Sequence, residues 1–301
     1  MKHSKELKAK FIQGVLGFTC GDALGVPVEF SPREYCEKYP VKDMLGHGMH
    51  DQPKGTWSDD SSMMFCTIEV FNNYTQKKLA TKFADWLTKN TWTPHGRVFD
   101  VGVTTCKTIN NFIDTGRISG ATNEFENGNG SLMRMLPLAY YLFDATTEKK
   151  LKIISEVSSI THAQELSIQC CVFYVEMAIN LLKGLKPIEA YHKTIEFFKS
   201  VYSNEQTFFK QILKGDIQTL PQSEIQSTGY VLHTLEASLW CLLNSKNYTG
   251  AVLTAVNLGY DTDTTGAVTG GLAGIYYEDT PSQWISKLSR LKDIQALLNK
   301  V

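Results

Sequence analysis

Two short oxygen-rich clusters carry the clearest chemistry in the chain. Gly259-Tyr260-Asp261-Thr262-Asp263-Thr264-Thr265-Gly266 places two carboxylates two residues apart with hydroxyls between and behind them, ahead of a run of small residues ending at Gly274. Far upstream, Gly55-Thr56-Trp57-Ser58-Asp59-Asp60-Ser61-Ser62 sets adjacent acids between hydroxyls at the start of an apolar stretch. Hard cations take such oxygen ligands. Either set could instead cap a helix and sit at its positive end. The pairing argues for metal: adjacent acids point in different directions, and the four aspartates carry about four negative charges, which two divalent cations would neutralise.

Two sharper readings of the downstream cluster fail within the sequence. Asp-x-Asp-x-Thr-Gly resembles the start of a calcium-binding EF-hand loop, but the twelfth position, where a bidentate Glu is required, is Leu272. The nucleophile motif of haloacid-dehalogenase-like phosphatases needs more chain after it than remains here.

Other residues could complete a site. In Gly21-Asp22-Ala23-Leu24-Gly25-Val26-Pro27-Val28-Glu29-Phe30 the glycines suggest close backbone approach, and Glu29 among apolar neighbours is either a surface carboxylate or an inward-facing acid with a raised pKa. The His-x-x-His pair His47 and His50 could bind a metal, but in a Gly-rich stretch a surface segment is the expectation. Asp100, in Phe99-Asp100-Val101-Gly102, reads as an acid at a helix start. Asn127-Gly128-Asn129-Gly130-Ser131 is a turn by composition, and before a helix it could also aim backbone N–H groups at a phosphate or carboxylate. It is not a P-loop, because no Gly-Lys-Ser/Thr follows. A lone histidine such as His162 is more often a cap or core residue than a ligand-binding one.

The elements that must position these residues read as helices. Apolar residues recur at helical spacing over 7–18, 79–87, 150–158, 163–182, 187–201, 231–243, 251–258 and 284–298, with Pro187 a good first helical residue. Alternating strand patterns are scarce, 204–227 is a variable-looking connection, and no short-period repeat is evident. An all-helical domain with polar clusters at helix ends follows. The 301 residues show no linker or composition shift, so a single domain, 1–301, is expected. With 43% hydrophobic and 20% charged residues the chain can bury a sizeable core, and a formal net charge of -1 gives no electrostatic reason for a nucleic-acid partner. Seven cysteines without Cys-x-x-Cys spacing favour reduced thiols and a cytoplasmic setting. No uncharged run is long enough to span a bilayer, and a monomer is the expectation.

Taken in order, Gly21-Asp22-Ala23-Leu24-Gly25…Glu29, Ser58-Asp59-Asp60-Ser61, Phe99-Asp100-Val101-Gly102, Gly128-Asn129-Gly130-Ser131-Leu132-Met133-Arg134, Thr161-His162 and Asp261-Thr262-Asp263-Thr264 resemble the ADP-ribosylglycohydrolase family, and within it the dinitrogenase reductase-activating and arginine-directed branch. The resemblance implies an orthogonal helical bundle with a cleft for two Mg²⁺ or Mn²⁺ ions. It implies Ser58, Asp59, Asp60, Asp261, Asp263 and Thr264 as metal ligands, and Asp100, Glu29 and the metal-holding Asp60 in catalysis. The loop Asn127, Gly128, Asn129, Gly130 and Ser131, with His162, would contact the ADP-ribose diphosphate and its sugars. The implied substrate is an ADP-ribosylated protein or ADP-ribosyl small molecule, most simply an arginine N-glycoside. Another linkage, or a non-catalytic binding or structural member, is the alternative. Ser58 and Ser61 stand where Thr is usual, which keeps the hydroxyl oxygen and drops a methyl group; Tyr260 stands where Gly is usual, which bears on the cleft wall and the exact substrate.

Overall fold

A computed structural model describes residues 4–202 and 208–301. Residues 1–3, in the basic N-terminal stretch, and 203–207, at the start of the variable-looking connection, lie outside the described residues. Fifteen α-helices and no strand are formed among the described residues. They are α1 (Lys5–Gly25), α2 (Arg33–Lys38), α3 (Asp59–Val70), α4 (Gln76–Lys89), α5 (Val103–Thr115), α6 (Leu136–Tyr141), α7 (Thr147–Ser158), α8 (Glu165–Leu182), α9 (Pro187–Val201), α10 (Lys210–Leu213), α11 (Val231–Leu243), α12 (Tyr248–Val256), α13 (Thr262–Tyr277), α14 (Ser282–Ile285) and α15 (Leu291–Asn299). One apolar core runs through them, from Leu7 and Phe11 on α1 to Leu298 on α15.

The centre of the bundle is the contact of α1 with α13, and glycine is what makes it close. Gly17, Gly21 and Gly25 repeat every fourth residue on α1, as do Gly266, Gly270 and Gly274 on α13, so each helix presents a bare stripe. A Cβ on Gly21 would sit 2.1 Å from the Gly266 carbonyl oxygen, and one on Gly17 2.5 Å from that of Gly270. The two backbones therefore touch. Glycine is a poor interior helix residue, which is why the pattern suggests that the first helix stops near residue 18. Here α1 continues to Gly25, because the packing gained along the stripe outweighs the propensity lost.

The stretch 284–298, periodic enough to be one helix, is two. Arg290 breaks it with φ 56°, its guanidinium held by Asp293 at 2.7 Å and by the Thr93 carbonyl at 3.0 Å. Segments Lys5–Val28 and Glu165–Leu182 are long and apolar enough to cross a bilayer although each carries charged residues, and 83% and 89% of their apolar windows are buried inside the protein. All seven cysteines are unpaired thiols, as expected, and six are buried.

Candidate active site

Three helix ends and two loops converge on one cleft of about 370 Å³. The first end is that of α3. Ser58 is its N-cap, with Oγ accepting from the Asp60 amide at 3.3 Å and donating to Asp60 Oδ2 at 2.9 Å. Asp22, fully buried in α1, ties this end down: it accepts from the Ser58 amide (2.8 Å), the Ser61 amide (3.0 Å) and the Ser61 hydroxyl (2.6 Å). Burial pushes Asp22 up to about 7, and the serine hydrogen bonds work against that rise.

The second end is that of α13. Asp261 stands at its N-cap position and Asp263 in its first turn, and the Thr262 hydroxyl donates to the Gly25 carbonyl at 2.8 Å, where the glycine stripe ends. Asn129 Nδ2 reaches across from the glycine loop to Asp261 Oδ2 at 2.7 Å and to the Thr234 hydroxyl at 2.9 Å. The Thr264 hydroxyl points to Asp60 Oδ2 at 3.5 Å, bringing the two acidic clusters together.

The third group sits above them. Glu29, just past the end of α1, is 4% exposed, and His50 Nε2 makes a short contact with its Oε2 while standing 4.0 Å from Asp100 Oδ1. Carboxylate oxygens of Glu29, Asp261 and Asp263 lie within 4.8 Å of one another, as do ligand atoms of Glu29, His50 and Asp100. Burial, then the charges of Asp100 and Asp261, push Glu29 well above the usual range. Burial and mutual repulsion do the same to Asp59, Asp60 and Asp263, and burial raises Asp261.

Whether these residues suit a cation is answered by their unused oxygens. Asp60 Oδ1, Asp261 Oδ1 and Asp263 Oδ2 are buried with no hydrogen-bond partner among the described residues. Buried carboxylate oxygens without donors are costly, and divalent ions would satisfy oxygens and charge together. Asp59, Asp60, Asp261, Asp263 and Thr264 thus form one oxygen-lined group, with the Ser58 hydroxyl beside it on Asp60.

Gly128, Asn129, Gly130 and His162 line the opposite wall. Two residues expected there do other work. The Asn127 side chain donates to the Glu124 carbonyl at 2.8 Å and accepts from Ser167 at 3.1 Å, and the Ser131 hydroxyl lies in the core 3.4 Å from Cys171 Sγ. Both side chains anchor the loop rather than face the cleft. His50 also departs from expectation: the His47–His50 segment does not act as a surface pair. His47 is exposed and bonded to Asp51 at 2.7 Å, whereas His50 is turned toward Glu29 and Asp100 at the cleft's edge. Tyr260 takes the left-handed backbone region, φ 61°, where glycine is favoured, and its backbone is pinned to Ser31 and Phe30 at 2.7 and 2.6 Å. The roles of His50 and Asp22 are not visible in the motifs, although Asp22 stands inside one.

Comparison with known proteins agrees with this layout. The sequence model of the ADP-ribosylglycohydrolase family matches residues 3–301. The chain is 29% identical to an ADP-ribosylarginine hydrolase of Pseudomonas putida over 293 residues, covering 95% of this chain and 76% of that protein. It is 29% identical to the ADP-ribosyl-[dinitrogen reductase] glycohydrolase of Rhodospirillum rubrum, covering 91% and 88%. A solved structure described as an ADP-ribosylglycohydrolase-related protein complex superimposes with a TM-score of 0.82 at 26% identity, covering 98% of this chain and 97% of that one. The helical fold, the cleft at its helix ends and the match along nearly the whole chain lead to one conclusion: this chain belongs to the ADP-ribosylglycohydrolase family and is a hydrolase.

Proposed function

We propose that this protein is a metal-dependent hydrolase that cleaves the N-glycosidic bond between ADP-ribose and an arginine side chain of a protein, releasing ADP-ribose. The observation that carries the reading is the gathering of Asp59, Asp60, Asp261 and Asp263 around one cleft, three of them with a buried oxygen that has no donor among the described residues. Similarity to relatives named for ADP-ribosylarginine and for ADP-ribosyl-dinitrogen reductase supports the arginine linkage and a protein substrate.

Ser58, Asp59, Asp60, Asp261, Asp263 and Thr264 would hold two Mg²⁺ or Mn²⁺ ions. Bound there, such ions supply Lewis acidity toward ribose hydroxyls and a lowered pKa for a bound water. The rest of the work falls to the chain's own groups. In the reaction, a water oxygen bonds to the anomeric carbon, the bond from that carbon to nitrogen breaks, and its electron pair leaves with the guanidine. The leaving nitrogen gains a proton and the water loses one. Glu29 and Asp100 face the same part of the cleft and move these protons. Burial and the neighbouring acids raise Glu29 in the metal-free chain, and a carboxyl so placed can give or take a proton as the charge around it changes. Positive charge developing on the sugar ring is favoured by the surrounding carboxylates. The walls at Gly128, Gly130 and His162 hold the remainder of ADP-ribose, so that binding energy fixes the reacting end.

The test is to incubate the purified protein with an arginine-ADP-ribosylated peptide, with Mg²⁺, with Mn²⁺ or with chelator, and to follow products by mass spectrometry. Intact ADP-ribose, released only with metal, is expected. AMP and ribose phosphate would make the protein a phosphohydrolase instead. Release from serine-linked or base-linked ADP-ribose but not from the arginine peptide would overturn the linkage.

A further inference from the structure

The buried Arg134 is too expensive to be only a helix residue. Its side chain is wholly inside the protein, under the Phe83 ring at 4.6 Å, and it has no carboxylate partner within salt-bridge distance among the described residues. Its donors go instead to the two segments that form the far wall of the cleft. Nη1 donates to the Gly130 carbonyl at 3.0 Å. Nη2 donates to the Val157 carbonyl at 3.0 Å and to the Thr161 hydroxyl at 2.8 Å. Thr161 Oγ1 in turn lies 2.8 Å from His162 Nδ1.

Proton counting gives this chain a direction. A guanidinium only donates, so Thr161 Oγ1 accepts from Arg134. Among the described residues the hydroxyl has no acceptor other than His162 Nδ1. If Nδ1 carried a proton and donated to Thr161, the hydroxyl proton would be stranded in a fully buried site, which is costly. Nδ1 therefore accepts, and the ring proton of a neutral imidazole sits on Nε2. That nitrogen faces the glycine loop: a Cβ on Gly128 would lie 3.6 Å from it. No protein group among the described residues bonds to it, and it opens on the cleft.

We propose that Arg134 is a positioning residue that acts through Thr161 to hold His162 as the neutral Nε2–H tautomer, a fixed donor to an oxygen of the ADP-ribose moiety. The proposal rests on the function given above for this cleft. Burial and the adjacent guanidinium both oppose a second ring proton, pushing His162 down to about 3. The wall therefore offers a hydrogen bond without a charge, and the same guanidinium sets the height of the Gly130 backbone beside it.

Arg134 itself cannot be removed without threatening the fold, so the test uses Thr161. Long-range ¹H–¹⁵N spectra of the labelled protein, with His162 assigned by His162→Gln, should show a protonated Nε2 and a bare Nδ1. Thr161→Ser keeps both the spectrum and the Kd for ADP-ribose in Mg²⁺. Thr161→Val, folded by circular dichroism, mixes the tautomers and weakens ADP-ribose about tenfold, roughly 1.4 kcal/mol, with kcat on the arginine peptide nearly unchanged once saturated. A protonated Nδ1 in the wild type, or a folded Thr161→Val protein with wild-type Kd, overturns the relay. Wild-type protein that does not bind ADP-ribose at all overturns the proposed function instead, and the spectrum alone then decides the relay.

Discussion

Asp60 shows how much of the site's behaviour is set within one side chain. Oδ2 is engaged by Ser58 and Thr264, while Oδ1 has no donor among the described residues, and the charges of Asp22, Asp261 and Asp100 surround it. Asp60→Ala should lower turnover about a thousandfold, the several kcal/mol expected when a metal-holding carboxylate is lost. The same change removes a buried carboxyl whose ionisation its neighbours oppose, so the melting temperature in chelator at high pH should stay level or rise. A folded Asp60→Ala enzyme with full activity would remove the assigned metal site. The acidic clusters were legible in the sequence because adjacent residues supply their carboxylates. His50 was not: positive φ at His47 (65°) and Gly48 (70°) reverses the chain, so that two histidines three apart face opposite ways. Asp22 was hidden for a related reason, since its partners Ser58 and Ser61 come from another helix. Asn129 was expected to contact ADP-ribose; in the structure its amide bonds Asp261.

At the scale of elements, the α1–α13 contact decides where the acids stand. The Gly25 carbonyl receives the Thr262 hydroxyl, and a Cβ on Gly25 would meet the Asp263 amide nitrogen at 2.3 Å. A side chain anywhere on the stripe thus pushes α13, and the aspartates at its start, away from α3. Gly21→Ala faces a backbone carbonyl, which cannot swing aside as a side chain does, and should cost at least about 2 kcal/mol in urea unfolding, with activity falling more than stability. Gly102→Ala, whose Cβ would meet nothing nearer than the Thr105 hydroxyl at 3.7 Å, should leave the urea midpoint unchanged. Equal losses in the two variants would show that the stripe is not what limits approach. Helical periodicity gave most elements their places, because apolar faces are a local signal. The length of α1 and the break at Arg290 were missed, because each depends on contacts with distant chain.

For the whole molecule, a formal net charge of -1 conceals an uneven distribution: Asp22, Glu29, Asp59, Asp60 and Asp263 are buried, and Asp261 half-buried, around one cleft. Every one of them has its carboxyl pushed up, with burial the first cause. The folded chain therefore keeps protons that the unfolded chain releases once the pH passes about 4, the ordinary carboxylate value. The contribution of these groups to stability without divalent ions is greatest below that point, declines through about 7 as Asp22 ionises, and keeps declining above it because Asp59, Asp60 and Asp263 are also raised. Metal should reverse this trend. The ligands must be ionised to bind, so affinity rises with pH, and an ion at a hundredfold its Kd adds about 2.7 kcal/mol to the folded state. Urea midpoints at pH 5 and pH 8 are the measurement. In chelator the pH 5 midpoint should be higher; in saturating Mg²⁺ or Mn²⁺ the gain should be larger at pH 8. A chelated protein that is more stable at pH 8 would mean that the acids are held by protein partners, and the cleft would lose its physical reason to bind cations.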